Sequence, residues 1–401
     1  MQTSLAEAIR DTDDGREAEG ILRSCVHCGF CNATCPTYQL LGDELDGPRG
    51  RIYLIKQLLE GASVSRKTQL HLDRCLTCKS CETTCPSGVR YGRLLDIGRR
   101  LVERRVRRVL PDQVLRKALR LVLPYPQRLR LLLGLARKIA GFLPSCLRGK
   151  LPLAAVCSEW PQPRHDRVML VLDGCVQSAT SPQINLSAAR VLDKLGISLM
   201  RIRGTGCCGA VSQHLGEPEE AAGFMRHNID VWWPWVESGT ECIVMTASGC
   251  GVMVRDYGEL LKHDPEYAGK ARRISEMTRD LSEVLASEDL SVLGRGNRTR
   301  IAFHSPCTLQ HGQRIYGLVE RILADRGYEL SPVENAHLCC GSAGTYSILQ
   351  KALSERLLTD KVRVLEAGDP VLIATANIGC LLHLQSGTDL PVRHWVELLA
   401  D

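Results

Sequence analysis

The chain has 401 residues, 24% charged and 44% hydrophobic, with a net charge of +6 and 19 cysteines. Such a length supports roughly two to four domains with ample core. The apolar fraction excludes a disordered chain, and no apolar run approaches the roughly 18 residues of a membrane-spanning helix. Met1 to Arg16 carries acids and no apolar secretory core, so the cytoplasm is the expected compartment. Cysteines in this number in a cytoplasmic chain point to metal, not to disulfides.

The first element is Cys25, Cys28, Cys31 and Cys35, followed by Pro36. A second is Cys75, Cys78, Cys81 and Cys85, followed by Pro86. Both read C-x-x-C-x-x-C-x-x-x-C-P, the run of two-cluster ferredoxins, in which the fourth cysteine serves the other cluster. Two-residue gaps wrap three sulfurs around one corner of a compact cube. The opposite iron lies beyond local reach, so its thiolate comes from the distant run. The expected ligands are therefore Cys25, Cys28, Cys31 and Cys85 for one 4Fe-4S cluster, and Cys35, Cys75, Cys78 and Cys81 for the other. A pair of zinc sites is the alternative, but it leaves the third C-x-x-C step unused. Between the runs, Ile52 to Leu59 reads as helix, in a mostly helical module spanning 1–98.

A basic stretch follows. Between Arg99 and Lys138 there are 13 Lys or Arg against Glu103 and Asp112. Leucine and valine recur at three- and four-residue steps, as in Val114 to Leu123, which predicts amphipathic helices in a linker spanning 99–165. A solvated linker, a docking face and an interfacial helix on an anionic membrane all fit this pattern. No recognised nucleic-acid-binding module accompanies the charge.

From Val168 the rhythm becomes strand, helix, strand. Cys175 is followed after 31 residues by Cys207-Cys208-Gly209, and after 41 more by Cys250. Cys307 is followed after 31 residues by Cys339-Cys340-Gly341, and after 39 more by Cys380. The offset is 132 in both leading positions (307 − 175 and 339 − 207), an internal repeat spanning 166–295 and 296–401. Strands are predicted at 168–172, 197–202, 243–245, 301–303, 328–330 and 371–374, each just before a cysteine group. Helical crossovers make such strands parallel, and their carboxyl ends share the edge where open α/β sheets place ligands. The cysteines of each repeat should therefore converge, as a further cluster site or a docking site. Cys146, Cys157 and Cys242 fall outside both patterns and read as inert thiols. Gly204 to Gly209 matches G-x-G-x-x-G, but the second repeat has Ala336-His-Leu-Cys-Cys-Gly341. The shared element is Cys-Cys-Gly, not a dinucleotide fingerprint. His304, His311, His337 and His383 lie near the second set and read first as hydrogen-bonded pocket residues. Of these, His383 has a ligand's spacing after Cys380.

Two ferredoxin runs followed by two Cys…Cys-Cys-Gly…Cys repeats resemble the heterodisulfide-reductase-like, cysteine-rich (CCG) family. Cys25 to Cys31, Thr37 to Arg51, Cys339 to Thr345 and Thr375 to Cys380 resemble, within it, the iron–sulfur subunits of bacterial glycolate oxidases. The resemblance implies an α+β multidomain fold: a helical two-cluster ferredoxin-like domain, then two α/β cysteine-rich repeats with mostly parallel sheets. It implies electron transfer within a flavin-dependent glycolate (2-hydroxy acid) dehydrogenase complex. FAD would lie on a partner subunit, electrons would pass toward quinone, and the complex would sit on the cytoplasmic face of the inner membrane. D-lactate and glycerol-3-phosphate dehydrogenases share much of this motif order. Met253 and His383 stand where heterodisulfide reductases end the repeat in C-x-x-C, which puts disulfide cleavage in doubt. No residue here reads as a catalytic base, and no flavin fingerprint is present.

Overall fold

A computed structural model describes residues 1–138, 159–295 and 297–400. Cys146, Cys157 and the linker positions 139–158 lie outside the described residues.

The amino-terminal module is helical. Asp13–Ser24, Pro48–Leu59 and Tyr91–Arg105 pack around a core of Leu22, Ile55, Leu58, Leu94, Leu95 and Ile97. Thr12 caps the first of these, accepting from Gly15 N, with Asp13 and Asp14 in the positive first turn. Pro48 opens the second at a position where a missing N–H costs nothing. Tyr91–Arg105 runs on across position 98 into the basic stretch. Two amphipathic helices follow, Leu110–Val122 and Pro126–Lys138. Only Leu119 of the first is buried, and nothing of the second.

Two four-stranded parallel sheets make up the rest, ordered β2-β1-β3-β4 and β6-β5-β7-β8. The strands are β1 Arg167–Val171, β2 Ile197–Arg201, β3 Ile243–Met245, β4 Thr278–Asp280, β5 Arg300–His304, β6 Glu329–Leu330, β7 Leu372–Thr375 and β8 Val392–His394. The repeated order is the internal duplication seen in three dimensions. Continuous apolar runs such as Val168 to Val171 suit central strands covered on both faces. The edge strands β4 and β8 have no counterpart in the sequence reading. At three residues each, Thr-Arg-Asp and Val-Arg-His, they are too short and polar to carry a strand signal, and pairing to β3 and β7 defines them.

The sheets share one core, in which Val171 and Val244 meet Ile301, Ile373 and Trp395. The repeats also touch at the carboxyl ends of β3 and β7. Ser248 N donates to Ala376 O at 3.2 Å, Ser248 Oγ lies 2.7 Å from Thr308 Oγ1, and His394 Nε2 lies 2.8 Å from Thr246 O.

Candidate metal centres

Each ferredoxin run forms a loop whose left-handed residues recur at matched places. His27 and Thr77 have φ of 57° and 52°, and Gly29 and Lys79 have φ of 88° and 58°. The turn points amides at sulfur: Thr77 N donates to Cys75 Sγ at 3.4 Å. Gly29 is favoured by its left-handed φ, at which a Cβ would be strained.

The two loops line neighbouring cavities. One is lined by Cys35, Cys75, Cys78 and Cys81. The other is lined by Cys25, Cys28, Cys31 and Cys85. The fourth cysteine of each run thus lies with the other run, as the spacing requires. Cys81 and Tyr91 line both cavities, so the two share a wall.

The residues present fit iron–sulfur cubes. Burial, then the neighbouring Cys25, Cys85 and Cys28, pushes the Cys31 thiol to about 11. Thiols crowded in this way cannot all ionise without a compensating cation. Two donors also face the cavities: Arg51 Nη1 has no partner at the cavity of the second run, and the Tyr91 hydroxyl, between the cavities, has only the Cys75 thiol as a neighbour. Orphaned buried donors are rare, and cluster sulfur would accept from both.

Arg51 is a further candidate that carries no sequence signal of its own beyond its place in the Thr37 to Arg51 segment. It is fully buried together with Asp46. Its Nη2 reaches Thr37 Oγ1 at 3.1 Å and Asp46 Oδ1 at 3.5 Å, and its Nε donates to His71 O at 2.7 Å. Arg74 Nη1 and His71 Nδ1 hold the other contacts of Asp46, at 2.7 and 3.0 Å. The result is a guanidinium fixed beside Cys35 and Cys75.

The cysteines of each repeat converge. In the first, Cys207 hydrogen-bonds to Cys175 and Cys208, and Cys208 to Cys250. Accepting from its neighbours holds Cys208 low, while Cys207 and Cys250 are raised. In the second, Cys307 Sγ lies 3.8 Å from Cys339 Sγ, Cys339 hydrogen-bonds to Cys340, and Cys340 to Cys380. Gly209 N and Gly341 N each donate to the first sulfur of the pair at 3.4 Å. Both glycines have φ of 92°, and a Cβ on Gly341 would meet Ser354 O at 2.7 Å. This tight turn, not a nucleotide, explains the glycine after Cys-Cys. Asn377 Nδ2 donates to Cys380 Sγ at 3.4 Å. Cys242 is buried, and desolvation raises its thiol to about 12, which suits an inert packing residue.

One set of repeat cysteines adjoins the ferredoxin module. Cys78 packs with Leu76 against Cys307, Cys339 and Tyr346, and its thiol is raised by burial and then by Cys307. Thr83 Oγ1 meets His311 Nδ1 at 2.9 Å, and His311 Nε2 meets His337 O at 2.9 Å. Tyr346 donates to Arg74 O at 3.2 Å. His311 therefore bridges the modules. His383 Nε2 meets Ser354 Oγ at 3.1 Å, so the histidine with a ligand's spacing has a hydrogen-bond partner instead. His304 is buried, and desolvation lowers it to about 3, leaving a neutral imidazole.

Comparison with known proteins agrees with this layout. The 4Fe-4S dicluster domain family matches residues 21–89, and the cysteine-rich domain family matches 169–255 and 301–385. The chain is 54% identical to the glycolate oxidase iron-sulfur subunit of Escherichia coli (strain K12), over all of this chain and 98% of that one. It belongs to the family of glycolate oxidase iron–sulfur subunits. A probable glycolate oxidase iron-sulfur subunit of Bacillus subtilis (strain 168) is 30% identical over 93% of this chain and 90% of its own. Lactate utilization protein A of Anoxybacillus flavithermus is 26% identical over 56% of this chain and 95% of its own. A solved structure of a hypothetical protein from Helicobacter pylori aligns with a TM-score of 0.56 over 97% of this chain and 72% of that chain, at 9% identity, a likeness of fold alone. The family is one of iron–sulfur electron-transfer proteins.

Proposed function

We propose that this chain carries electrons from a flavin-bearing partner subunit toward quinone in a complex that oxidises glycolate. Cys25, Cys28, Cys31 and Cys85 hold one 4Fe-4S cluster, and Cys35, Cys75, Cys78 and Cys81 the other. The observation that carries the reading is the pair of four-thiol cavities with a common wall at Cys81 and Tyr91. Bound clusters would supply one-electron redox chemistry. The chain's own part is to hold the thiolates, exclude water, and direct amides and Arg51 at sulfur, which are the levers on potential. Cys175, Cys207, Cys208 and Cys250, with Cys307, Cys339, Cys340 and Cys380, form the further redox or docking site. Cys307 and Cys339 pack with Cys78 in one buried cluster, which supports electron passage between the modules there. D-lactate is the second substrate reading, favoured by the lactate utilization relatives.

The test is direct. Anaerobically purified chain should be brown, carry roughly eight irons and as much sulfide, and give a paramagnetic signal when reduced. A colourless, zinc-loaded protein overturns the reading. Co-purification with a flavoprotein that oxidises glycolate identifies the partner.

Peripheral attachment to an anionic membrane belongs to the same proposal. No helix among the described residues is long and apolar enough to cross a membrane. The helices Leu110–Val122 and Pro126–Lys138 expose Leu110, Val114, Leu115, Leu121, Leu131, Leu132 and Leu135, an interfacial pattern. Not every cation nearby is available. Arg108 is tied into Asp73, Glu103 and Asp112, and Arg116 into Asp73 and Asp112. Arg104, Arg107 and Lys117 are exposed. Replacing these three with glutamine should weaken binding to phosphatidylethanolamine–phosphatidylglycerol vesicles by about 1 kcal/mol each, on the order of a hundredfold together. Undiminished, salt-insensitive sedimentation with vesicles counts against attachment through this face.

A further inference from the structure

A cavity opens where four parts of the chain meet. One wall is the second ferredoxin loop at Cys75. The helices Tyr91–Arg105 and Leu110–Val122 bring Arg99 and Arg116 to it. The first repeat contributes His214, and the second contributes Thr345 and Tyr346. His214 and Tyr346 are equivalent by the internal repeat, since 346 − 214 = 132. The two repeats thus turn matching positions, just past their Cys-Cys-Gly turns, toward one space. Small-molecule sites favour such junctions between domains.

The polar groups of the lining select the ligand. The forked edge of each guanidinium is already committed. Arg99 donates from Nε and Nη2 to Leu72 O, at 3.2 and 2.8 Å, and from Nη2 to Cys75 O at 2.8 Å. Arg116 Nε meets Asp112 at 3.1 Å, and its Nη2 meets Asp73 at 3.2 Å. A carboxylate or phosphate ligand calls for such an edge. Two other groups have hydrogen-bonding capacity in hand. His214 is exposed at the cavity and makes no side-chain hydrogen bond among the described residues. Thr345 precedes the short helix Tyr346–Leu349 without a side-chain cap bond. Single donors of this kind suit neutral carbonyl oxygens. Tyr346 spends its hydroxyl on Arg74 O and leaves its ring as an aromatic wall, while Leu76, Leu215 and Leu349 make the rest apolar. The helix that carries Arg116 also exposes Leu110, Val114 and Leu121, so the cavity adjoins the face proposed above to meet lipid.

We propose that this cavity binds the headgroup of a quinone, with His214 and Thr345 donating to its two carbonyl oxygens and the ring lying against Tyr346. The inference rests on the electron-transfer reading above and gives the electron acceptor a place on this chain. Reduction adds two electrons and two protons and turns both C=O groups into C–O–H. The electrons are those that the flavoprotein removes from the 2-hydroxy acid, and the protons come from solvent at the cavity mouth. A headgroup seated here lies beside Cys75, a ligand of the second cluster in that reading. Its apolar tail leaves along the exposed leucines of Leu110–Val122.

The experiment uses the complex with its flavoprotein partner, purified anaerobically, with ubiquinone-1 as the ligand and an azido-ubiquinone as photoaffinity label. The label should land on peptides of this chain that contain His214 or Thr345, and excess ubiquinone-1 should displace it. His214→Phe and Thr345→Val each remove a donor and keep the bulk. Each should weaken ubiquinone-1 binding in equilibrium dialysis by about tenfold, with iron content unaltered. Unchanged affinity in both variants overturns the proposal. So does label confined to other peptides or to the partner subunit, or an iron-loaded complex that binds no ubiquinone-1. If His214→Phe does not fold, Thr345→Val and the label on the unmodified chain decide. Failure of the underlying reading looks different. A colourless, iron-free chain removes the electron-transfer role and the quinone site together, whereas an iron-loaded complex that passes electrons to dye but takes no label here overturns this inference alone.

Discussion

Cys28→Ser should abolish electron transfer from the flavoprotein partner to quinone while sparing dye reduction by that partner. Iron should fall from about eight to about four per chain. The size of the effect follows from chemistry, and its cleanness from position. A serine hydroxyl stays protonated where a thiolate binds iron, so a cube loses one corner. Cys28 is exposed at the tip of its loop, flanked by left-handed His27 and Gly29. Serine keeps the shape there and removes little apolar contact, so the helical core around Ile55 and Leu94 persists. The second cavity keeps all its own thiols. Quinone reduction at the original rate in Cys28→Ser would contradict the assignment of the first cluster. Loss of dye reduction as well would indicate that the complex itself had come apart.

Arg51→Met should be the most destabilising single substitution in the amino-terminal module. Removing one partner from a buried ion pair costs about 3–5 kcal/mol. The lower end is expected here, because Arg74 and His71 keep Asp46 paired. Thr37 Oγ1 and His71 O nevertheless lose their donor. The substitution should also move the potential of the second cluster to a more negative value. Reduction adds a negative charge beside Cys35 and Cys75, and the guanidinium stabilises that charge. Arg51→Lys keeps the charge without the fork, so it should recover most of the potential but not the stability. Anaerobic denaturant melts and a redox titration followed by electron paramagnetic resonance measure the two effects separately. A melt shifted with the potential unmoved would reduce Arg51 to a structural role.

The motif layer was legible because it is local. The run spacing assigned Cys85 to the first loop and Cys35 to the second, and the cavities place them there. The 132-residue offset became two sheets of the same strand order. Each predicted strand has an observed counterpart; for the central strands β1, β3, β5 and β7 the apolar run before a cysteine group is what marks a covered parallel strand. The edge strands β4 and β8 escaped, since three residues carry no period and their pairing is set by β3 and β7. The amphipathic period of the basic stretch is legible over Leu110–Val122 and Pro126–Lys138, yet its charges cannot be sorted from the sequence. Arg104 faces water and Arg108 lies in a cage of acids, a distinction that depends on where Asp73 comes to rest.

By itself the sequence determined how the cysteines are grouped and that a duplicated α/β frame carries the later ones, because cysteine spacing and apolar runs are short-range properties of the chain. Tertiary structure alone decided the environment of those groups. It set Arg51 beside Cys35 and Cys75, turned Cys78 toward Cys307, and left His304, not His383, with a free nitrogen facing thiols. Burial, charge neighbours and hydrogen-bond vacancies come from segments tens to hundreds of residues apart, and only packing brings those segments into contact.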